Sequence, residues 1–309
     1  MVASAFIRGS SSVPEKSAAL LSPSGPARQS DSGDLTRVNL GASVRVPMNL
    51  QLSGKLALVS GSSKGIGLAI ATGLAREGAH VIINGRSAES VQSALAKVQQ
   101  AATGAKLEGF AGDLSDAAVV EKLVGQFPAV DILVNNLGIF EPKPFEEIPD
   151  EDWRRFFEVN VLSGVRLSRA YLPGMKQRNW GRIVFVSSES GVQIPVEMIH
   201  YGMTKTAQLA VSRGLAESCA GTGVTVNAVL PGPTRSDGVD EFVKQLSGGK
   251  PFAEFEREFF TSVRPSSLLK RFATTDEVAN LVVYVASPLS SATNGAALRV
   301  DGGTVRSCF

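Results

Sequence analysis

Seven short strand-like runs of four to six residues recur along the chain with helical patterns between them, and this alternation limits the possible folds more than any other feature. The first, Leu56-Ala57-Leu58-Val59-Ser60, is almost continuously apolar, as expected of a strand covered by helices on both faces. A helical pattern follows through Ile70, Leu74 and Ala75 and stops near Gly78. His80–Asn84 is the second strand candidate, and Ala88–Ala101 the second helix. Further strand candidates lie at Lys106–Phe110, Val130–Asn135, Arg182–Ser187, Val224–Val229 and Ala297–Val300. Strands separated by helices imply right-handed crossovers and an α/β fold. The expectation is a single doubly wound parallel sheet with helices on both faces, formed by residues 51–309.

Residues 1–50 read differently. Serine is frequent, Pro14, Pro23, Pro26 and Pro47 are scattered, and no helical or strand periodicity persists. Such a segment buries too little apolar surface to offset its ordering entropy, so a disordered extension is expected. Its serines together with Arg8, Arg28, Arg37 and Arg45 leave open a targeting segment for organelle import. Glu15, Asp31 and Asp34 weigh against import, and a shorter protein beginning at Met48 is a further reading.

Lys and Arg number 31 against 29 Asp and Glu, a net charge of +2 that gives no electrostatic reason to expect nucleic acid as a partner. No apolar run reaches the roughly 18–20 residues that span a bilayer. Cys219 and Cys308 lack metal-ligand spacing, so no metal is expected, and two distant cysteines suit reduced thiols. A soluble cytoplasmic protein is the resulting expectation.

Gly61-Ser62-Ser63-Lys64-Gly65-Ile66-Gly67 directly follows the first strand, where a helix opens. Glycines permit a tight turn and let the backbone approach a pyrophosphate. The helix N-terminus offers unpaired N–H groups and a partial positive charge to the anion. Between a buried strand and a helix, such a turn points to a dinucleotide. An Asp or Glu after the second strand would hydrogen-bond a ribose 2′-hydroxyl and repel a 2′-phosphate. Here the residues are Asn84-Gly85-Arg86-Ser87, with no carboxylate before Glu89. Arg86, with Lys64 on the facing loop, suits a 2′-phosphate, so NADP is favoured over NAD. The competing reading is a solvated loop arginine.

Ser188 sits just past a strand, and thirteen residues later comes Tyr201-Gly202-Met203-Thr204-Lys205. On a helix the i, i+4 spacing puts Lys205 on the face of the Tyr201 phenol. A free phenol titrates near 10, too high for a base at neutral pH, and a nearby ammonium would lower it. Ser188 could then hydrogen-bond a substrate oxygen as charge develops on it.

From about Leu52 to Val305 these residues resemble the short-chain dehydrogenase/reductase family, in its 3-oxoacyl-[acyl-carrier-protein] reductase-like branch. The resemblance rests on the Gly61–Gly67 turn, on Asn135-Asn136-Leu137-Gly138, on Asn160 lying 28 residues before Ser188, and on Ser188, Tyr201 and Lys205. Asp113-Leu114, Pro231-Gly232 with Thr234 or Ser236, and Val300-Asp301-Gly302-Gly303 also match. It implies a Rossmann-type fold and a catalytic set of Asn160, Ser188, Tyr201 and Lys205, with Asn160 supporting a proton-relay water near the lysine. It implies cofactor contacts from Gly61, Ser63, Lys64, Gly65, Ile66, Gly67, Arg86, Asp113, Leu114, Asn136, Gly138, Tyr201, Lys205, Pro231, Gly232 and Thr234. It also implies a homodimer or homotetramer. Two departures stand out: Leu137 replaces the usual Ala, and Ser60 replaces the Thr that opens the glycine turn.

The expected activity is hydride transfer between a nicotinamide and a carbonyl or secondary alcohol. Reduction of 3-oxoacyl thioesters is the first expectation, and a sugar, polyol or other small secondary-alcohol dehydrogenase the alternative. A non-catalytic nucleotide-binding redox sensor is a third reading, disfavoured by the intact Asn160, Ser188, Tyr201 and Lys205. Val192, Gln193, Ile194, Pro195, Met198 and the segment after Pro231 are expected to line the substrate pocket. A lid-like stretch from Ser236 to Phe272 carries Phe242, Phe252, Phe255, Phe259 and Phe260. His200 is expected to be structural.

Overall fold

The structure, a computed structural model, describes residues 48–236 and 251–308. The expectations for residues 1–47 and for Phe242 fall outside these residues. All seven expected strands form: β1 (Leu56–Val59), β2 (His80–Gly85), β3 (Leu107–Ala111), β4 (Ile132–Asn135), β5 (Gly181–Val186), β6 (Val224–Pro231) and, after two short strands described below, β9 (Ala297–Val300). They make one parallel sheet in the order β3-β2-β1-β4-β5-β6-β9.

Because successive strand residues point to opposite faces, each short apolar strand feeds two cores. Ala57 and Val59 of β1 join Val81, Ile83, Val134 and Val184 on one face. Against them pack Ile70 and Leu74 of α1 (Gly65–Arg76) and Val282 and Val283 of a late helix, Thr275–Val285. Leu58 points the other way and joins Ile82, Leu133, Ile183 and Phe185. That face is covered by Leu123 of α3 (Ala117–Gln126; α2 is Ala88–Ala101) and by Leu167, Tyr171 and Met175 of a longer helix, Ser163–Gln177.

The strand order reverses at β1, which has β2 on one side and β4 on the other. In open parallel sheets a crevice opens outside the carboxyl ends at such a point, and ligands bind there. The turn after β1, the loops after β4 and β5, and the end of β6 all lie along that edge. Two short parallel strands, β7 (Thr234–Arg235) and β8 (Ala273–Thr274), pair with each other, tying together the chain that leaves the edge and the chain that returns. Between them the described residues form a short helix, Phe252–Glu258, and a wide π-helical turn, Phe259–Val263. Phe252, Phe255, Phe259, Phe260 and Phe272 pack ring on ring there, with centroids 5.0–6.1 Å apart.

Leu58 is fully buried at the centre of the sheet, registered beside Ile82 and Leu133. Leu58→Ala is expected to destabilise the protein by about 2–5 kcal/mol, read as a lower denaturant midpoint with an unchanged slope.

Candidate active site

The turn after β1 is built largely by its neighbours. Ser60 Oγ donates to Val134 O and accepts from the Asn136 and Leu137 N–H groups, both at 3.0 Å, so serine keeps the hydroxyl function expected of threonine. Asn136 Nδ2 donates to the carbonyls of Ser60 and Gly61, each at 3.0 Å. Asn84, buried at the end of β2, accepts from Gly61 N at 2.9 Å and donates to Phe110 O and Gly112 O. Gly61 and Gly65 have φ of +61° and +58°, the left-handed region that glycine enters at least cost. A Cβ on Gly67 would lie 2.5 Å from Asn136 Nδ2 and from Gly61 O, so only glycine lets α1 start this close to the turn. Leu137 fits because Gly61 has no side chain: a Cβ there would stand 3.2 Å from Leu137 Cα.

Lys64 precedes α1 in extended conformation, and no side chain caps the first turn of that helix. Ser87 caps α2 and Asp116 caps α3. The free N–H groups of α1, reached across glycine backbone, fit a pyrophosphate. Arg86 and Lys64 are both exposed at this edge. Asp113 is exposed and its Oδ1 accepts from Ser115 N and Oγ. The Leu114 side chain is buried in the core cluster that holds Leu58, which leaves its backbone for the expected cofactor contact. At the far end Gly232 packs against the Asp301 backbone, and Thr234 Oγ1 donates to Gly232 O at 2.9 Å. Ser236 comes back to the start of α1, 3.6 Å from a Cβ built on Gly65.

Ser188 and Tyr201 are aligned because the loop after β5 is clamped onto α6 (Ile199–Ser218; α4 is Asp150–Phe157, and the helix Ser163–Gln177 is α5). Ser187 Oγ donates to Lys205 O at 2.9 Å, and Thr206 Oγ1 donates to Gly191 O at 2.8 Å. A Cβ on Gly191 would come within 2.9 Å of the Lys205 backbone, so glycine permits the contact. Ser188 Oγ donates to Glu189 Oε2 at 2.6 Å, and its hydrogen bond with the phenol lowers the pKa of Tyr201.

Lys205 is buried, and its Nζ donates to Val186 O at 3.0 Å and to Gln208 Oε1 at 3.3 Å. Desolvation lowers its pKa to about 8. The expectation that Lys205 depresses the Tyr201 phenol is not met in this arrangement. Burial pushes the phenol up, the Glu189 charge adds to that, and Ser188 and Arg264 oppose it without overcoming it. Tyr201 is therefore protonated at neutral pH.

Asn160 lies on a π-helical turn, Glu158–Leu162, that joins α4 to α5. Such turns take backbone carbonyls out of the regular helical ladder. The carbonyl of Asn160 accepts from Gln208 Nε2, and Gln208 accepts in turn from Lys205. The side chain of Asn160 braces the loop after β4: Oδ1 accepts from Ile139 N at 2.8 Å, while Nδ2 donates to Ile139 O and to Thr204 Oγ1. A Cβ on Gly138 would stand 3.4 Å from Asn160 Oδ1 and 3.5 Å from Lys205 Nζ. The structure thus brings Asn160, Ser188, Tyr201, Lys205 and Gly138 to one place. Gln208 was missed, although its spacing three residues after Lys205 puts it on the same helix face. His200 is fully buried between Trp153 and Phe156, as a structural residue would be, and burial lowers its pKa.

A cavity of about 730 Å³ opens over Ser188 and Tyr201. Met198, Pro233, Phe255, Phe259, Phe272 and Val263 give it apolar walls, and Glu189, Glu197 and Arg264 give it charge. Of the five residues expected between Val192 and Met198, only Met198 lines it. Val192 and Ile194 face solvent in part, and Ile194 leans on Gly202 of α6, which carries no side chain to hold it off.

A family model described as short chain dehydrogenase matches residues 55–247. The uncharacterized oxidoreductase YvaG of Bacillus subtilis is 49% identical over 85% of this chain and 100% of its own length. The D-beta-hydroxybutyrate dehydrogenase of Cupriavidus necator is 36% identical over 82% of this chain and 99% of its own. Among solved structures, the L-sorbose reductase of Gluconobacter frateurii, complexed with NADPH and L-sorbose, superposes with a TM-score of 0.77. It is 33% identical and covers 84% of this chain and 100% of its own.

The buried ammonium has a consequence for stability. An unfolded chain holds the Lys205 proton up to the ordinary 10.5, whereas the folded protein releases it near 8. Between those values the unfolded state binds more protons, so this residue's contribution to stability rises with pH, by roughly 3 kcal/mol in all. The stability of the wild type relative to Lys205→Met is expected to increase from pH 7.5 to pH 10, measured by urea unfolding of both. A constant difference would show that the ammonium is not desolvated.

Proposed function

The chain belongs to the short-chain dehydrogenase family and is an NAD(P)-dependent oxidoreductase, and we propose that it reduces a ketone with NADPH, Tyr201 giving the proton to the substrate oxygen. The observation that carries this reading is the phenol of Tyr201 beside Ser188 on the wall of the 730 Å³ cavity, with Lys205 buried behind it. The bound nicotinamide supplies the hydride. Gly61, Ser63, Lys64, Gly65, Ile66 and Gly67 would hold the pyrophosphate at the uncapped start of α1. Asn136, Gly138, Pro231, Gly232 and Thr234 would flank the rest of the dinucleotide, with Asp113 towards the adenine.

Ser188 has a single hydroxyl proton, now committed to Glu189, and turning that proton to the substrate oxygen would stabilise developing charge there. Once Tyr201 has given up its proton, Lys205, with a pKa of about 8, is poised to exchange a proton itself. Gln208 and the Asn160 carbonyl fix the lysine for that role. Exposed Arg86 at the end of β2 supports a preference for NADP(H), as does similarity to a reductase whose structure holds NADPH.

A 3-oxoacyl thioester is the substrate class proposed first, because Phe255, Phe259, Phe272 and Val263 offer an apolar wall to an acyl chain. Similarity to the sorbose reductase favours a second reading, a keto-sugar. NADPH oxidation with an acetoacetyl thioester and with a panel of keto-sugars separates the two, since a preference for the sugars would overturn the first. Tyr201→Phe is expected to abolish turnover while leaving NADPH affinity within about twofold. Full activity in that variant would sink the mechanism. Arg86→Ala should weaken NADPH binding by roughly tenfold to a hundredfold, the cost of a lost charge-assisted pair, and leave NADH binding unchanged. Equal effects on both cofactors would reduce Arg86 to a loop residue.

A further inference from the structure

The described charged groups lining the cavity are Glu189, Glu197, Glu258 and Arg264. Arg264 is the one described cation among them, and it is buried. Its Nε donates to Glu189 Oε1 at 3.3 Å, and its Nη1 donates to Glu197 Oε1 and to Val263 O, both at 3.0 Å. Glu189 is buried as well, and its other oxygen, Oε2, accepts from Ser188 Oγ, Ser190 N and Ser190 Oγ. Two carboxylates thus share a single guanidinium at the cavity wall, next to the serine that faces the phenol.

An arginine in a substrate cavity ordinarily reads as a receptor for a carboxylate or phosphate. Here Nε and Nη1 already serve two carboxylates, so the guanidinium's charge is more than balanced before any ligand arrives. An incoming anion would add a third negative charge around one positive charge, in a site where water screens little. A hydroxyl, carbonyl or ester meets no such opposition. Glu197 Oε2 accepts no hydrogen bond from any described residue, and the Glu197 side chain is 37% exposed, so a neutral donor can reach it.

We infer that Glu189, Arg264 and Glu197 form an anion filter that restricts the enzyme to ketones and alcohols uncharged around the reacting carbon. The filter rests on the proposed reading of this cavity as the carbonyl site. It admits both the acyl thioester and the keto-sugar, and it rejects free 3-oxo acids. Like charge acts mainly as a barrier to the wrong ligand, which is how a specificity difference is built without new attraction to the right one.

Acetoacetate and methyl acetoacetate test this directly, because they present the same ketone with and without the charge. Two readouts are taken on the full chain: kcat/KM for NADPH oxidation, and ligand protection against thermal unfolding with and without NADPH. The ester is expected to exceed the acid at least tenfold in kcat/KM, with the difference in KM, and to give the larger thermal shift. Glu197→Gln keeps an oxygen for Arg264 Nη1 while removing one negative charge. In that variant the ester-to-acid ratio should fall at least fivefold through improved use of the acid, with an unchanged unfolding temperature for the free protein. Wild-type use of the acid equal to that of the ester, or a ratio that Glu197→Gln leaves unchanged, overturns the filter. Protection by the ester alone without turnover of either compound keeps the filter and rejects the hydride-transfer reading. Protection by neither, with turnover of neither, overturns the filter.

Discussion

The turn that leaves β1 takes its hydrogen bonds from neighbouring strands, and much of the cofactor end of the molecule follows from that. Ser60, Asn84 and Asn136 satisfy the polar groups of the turn from three directions. Buried backbone groups without partners would cost about as much as the hydrogen bonds they lack, so an unsupported turn could not sit this deep. With the turn fixed from outside, α1 can begin without a side-chain cap. Its unpaired N–H groups are then available to an anion at the switch point of the sheet. One side-chain network sets the geometry of the glycine turn, the position of Leu137 and the orientation of the helix start.

A second buried network runs through the chemical end of the site. Lys205 donates to Val186 and Gln208, and Gln208 reaches the carbonyl of Asn160 on its π-helical turn. Desolvation is the dominant influence on both titrating groups here, raising Tyr201 and lowering Lys205. The two shifts run in opposite directions because burial penalises the charged form of each, phenolate in one case and ammonium in the other. They keep the phenol in its acid form and bring the lysine pKa down to about 8, which suits a donor backed by an exchangeable proton.

What could be read from the sequence was local. Short apolar runs separated by helical patterns gave all seven strands of the main sheet, because burial on both faces leaves a continuous apolar run that needs no partner to recognise. The glycine turn and the Tyr201–Lys205 spacing were legible for the same reason. Contacts between distant positions were not. Glu189 and Arg264 are 75 residues apart, and neither type in isolation signals a buried pair. Asn84 stood only as one of four residues without a carboxylate, yet its side chain ties the turn after β1 to β3 and the loop that follows it. That the Leu114 side chain goes into the core was likewise not legible in the Asp113-Leu114 pair. The segment Val192–Pro195 was read as pocket, and the absence of a side chain on Gly202 turns Ile194 aside.

The ion pair also bears on how the cavity can open. Arg264 directly follows the π-helical turn of the aromatic segment, and Glu189 directly follows Ser188. Moving the two apart would strand two buried charges, and losing one partner of such a pair typically costs about 3–5 kcal/mol. The ring contacts of Phe255 and Phe259 are individually weaker, at about 0.5–1.5 kcal/mol each beyond their burial. Contact for contact, the helix Phe252–Glu258 is therefore held less firmly than the chain at Arg264. The Arg264–Glu189 pair holds the charged wall next to Ser188, so the groups proposed to select the ligand and the hydroxyl proposed to meet its oxygen are kept in register.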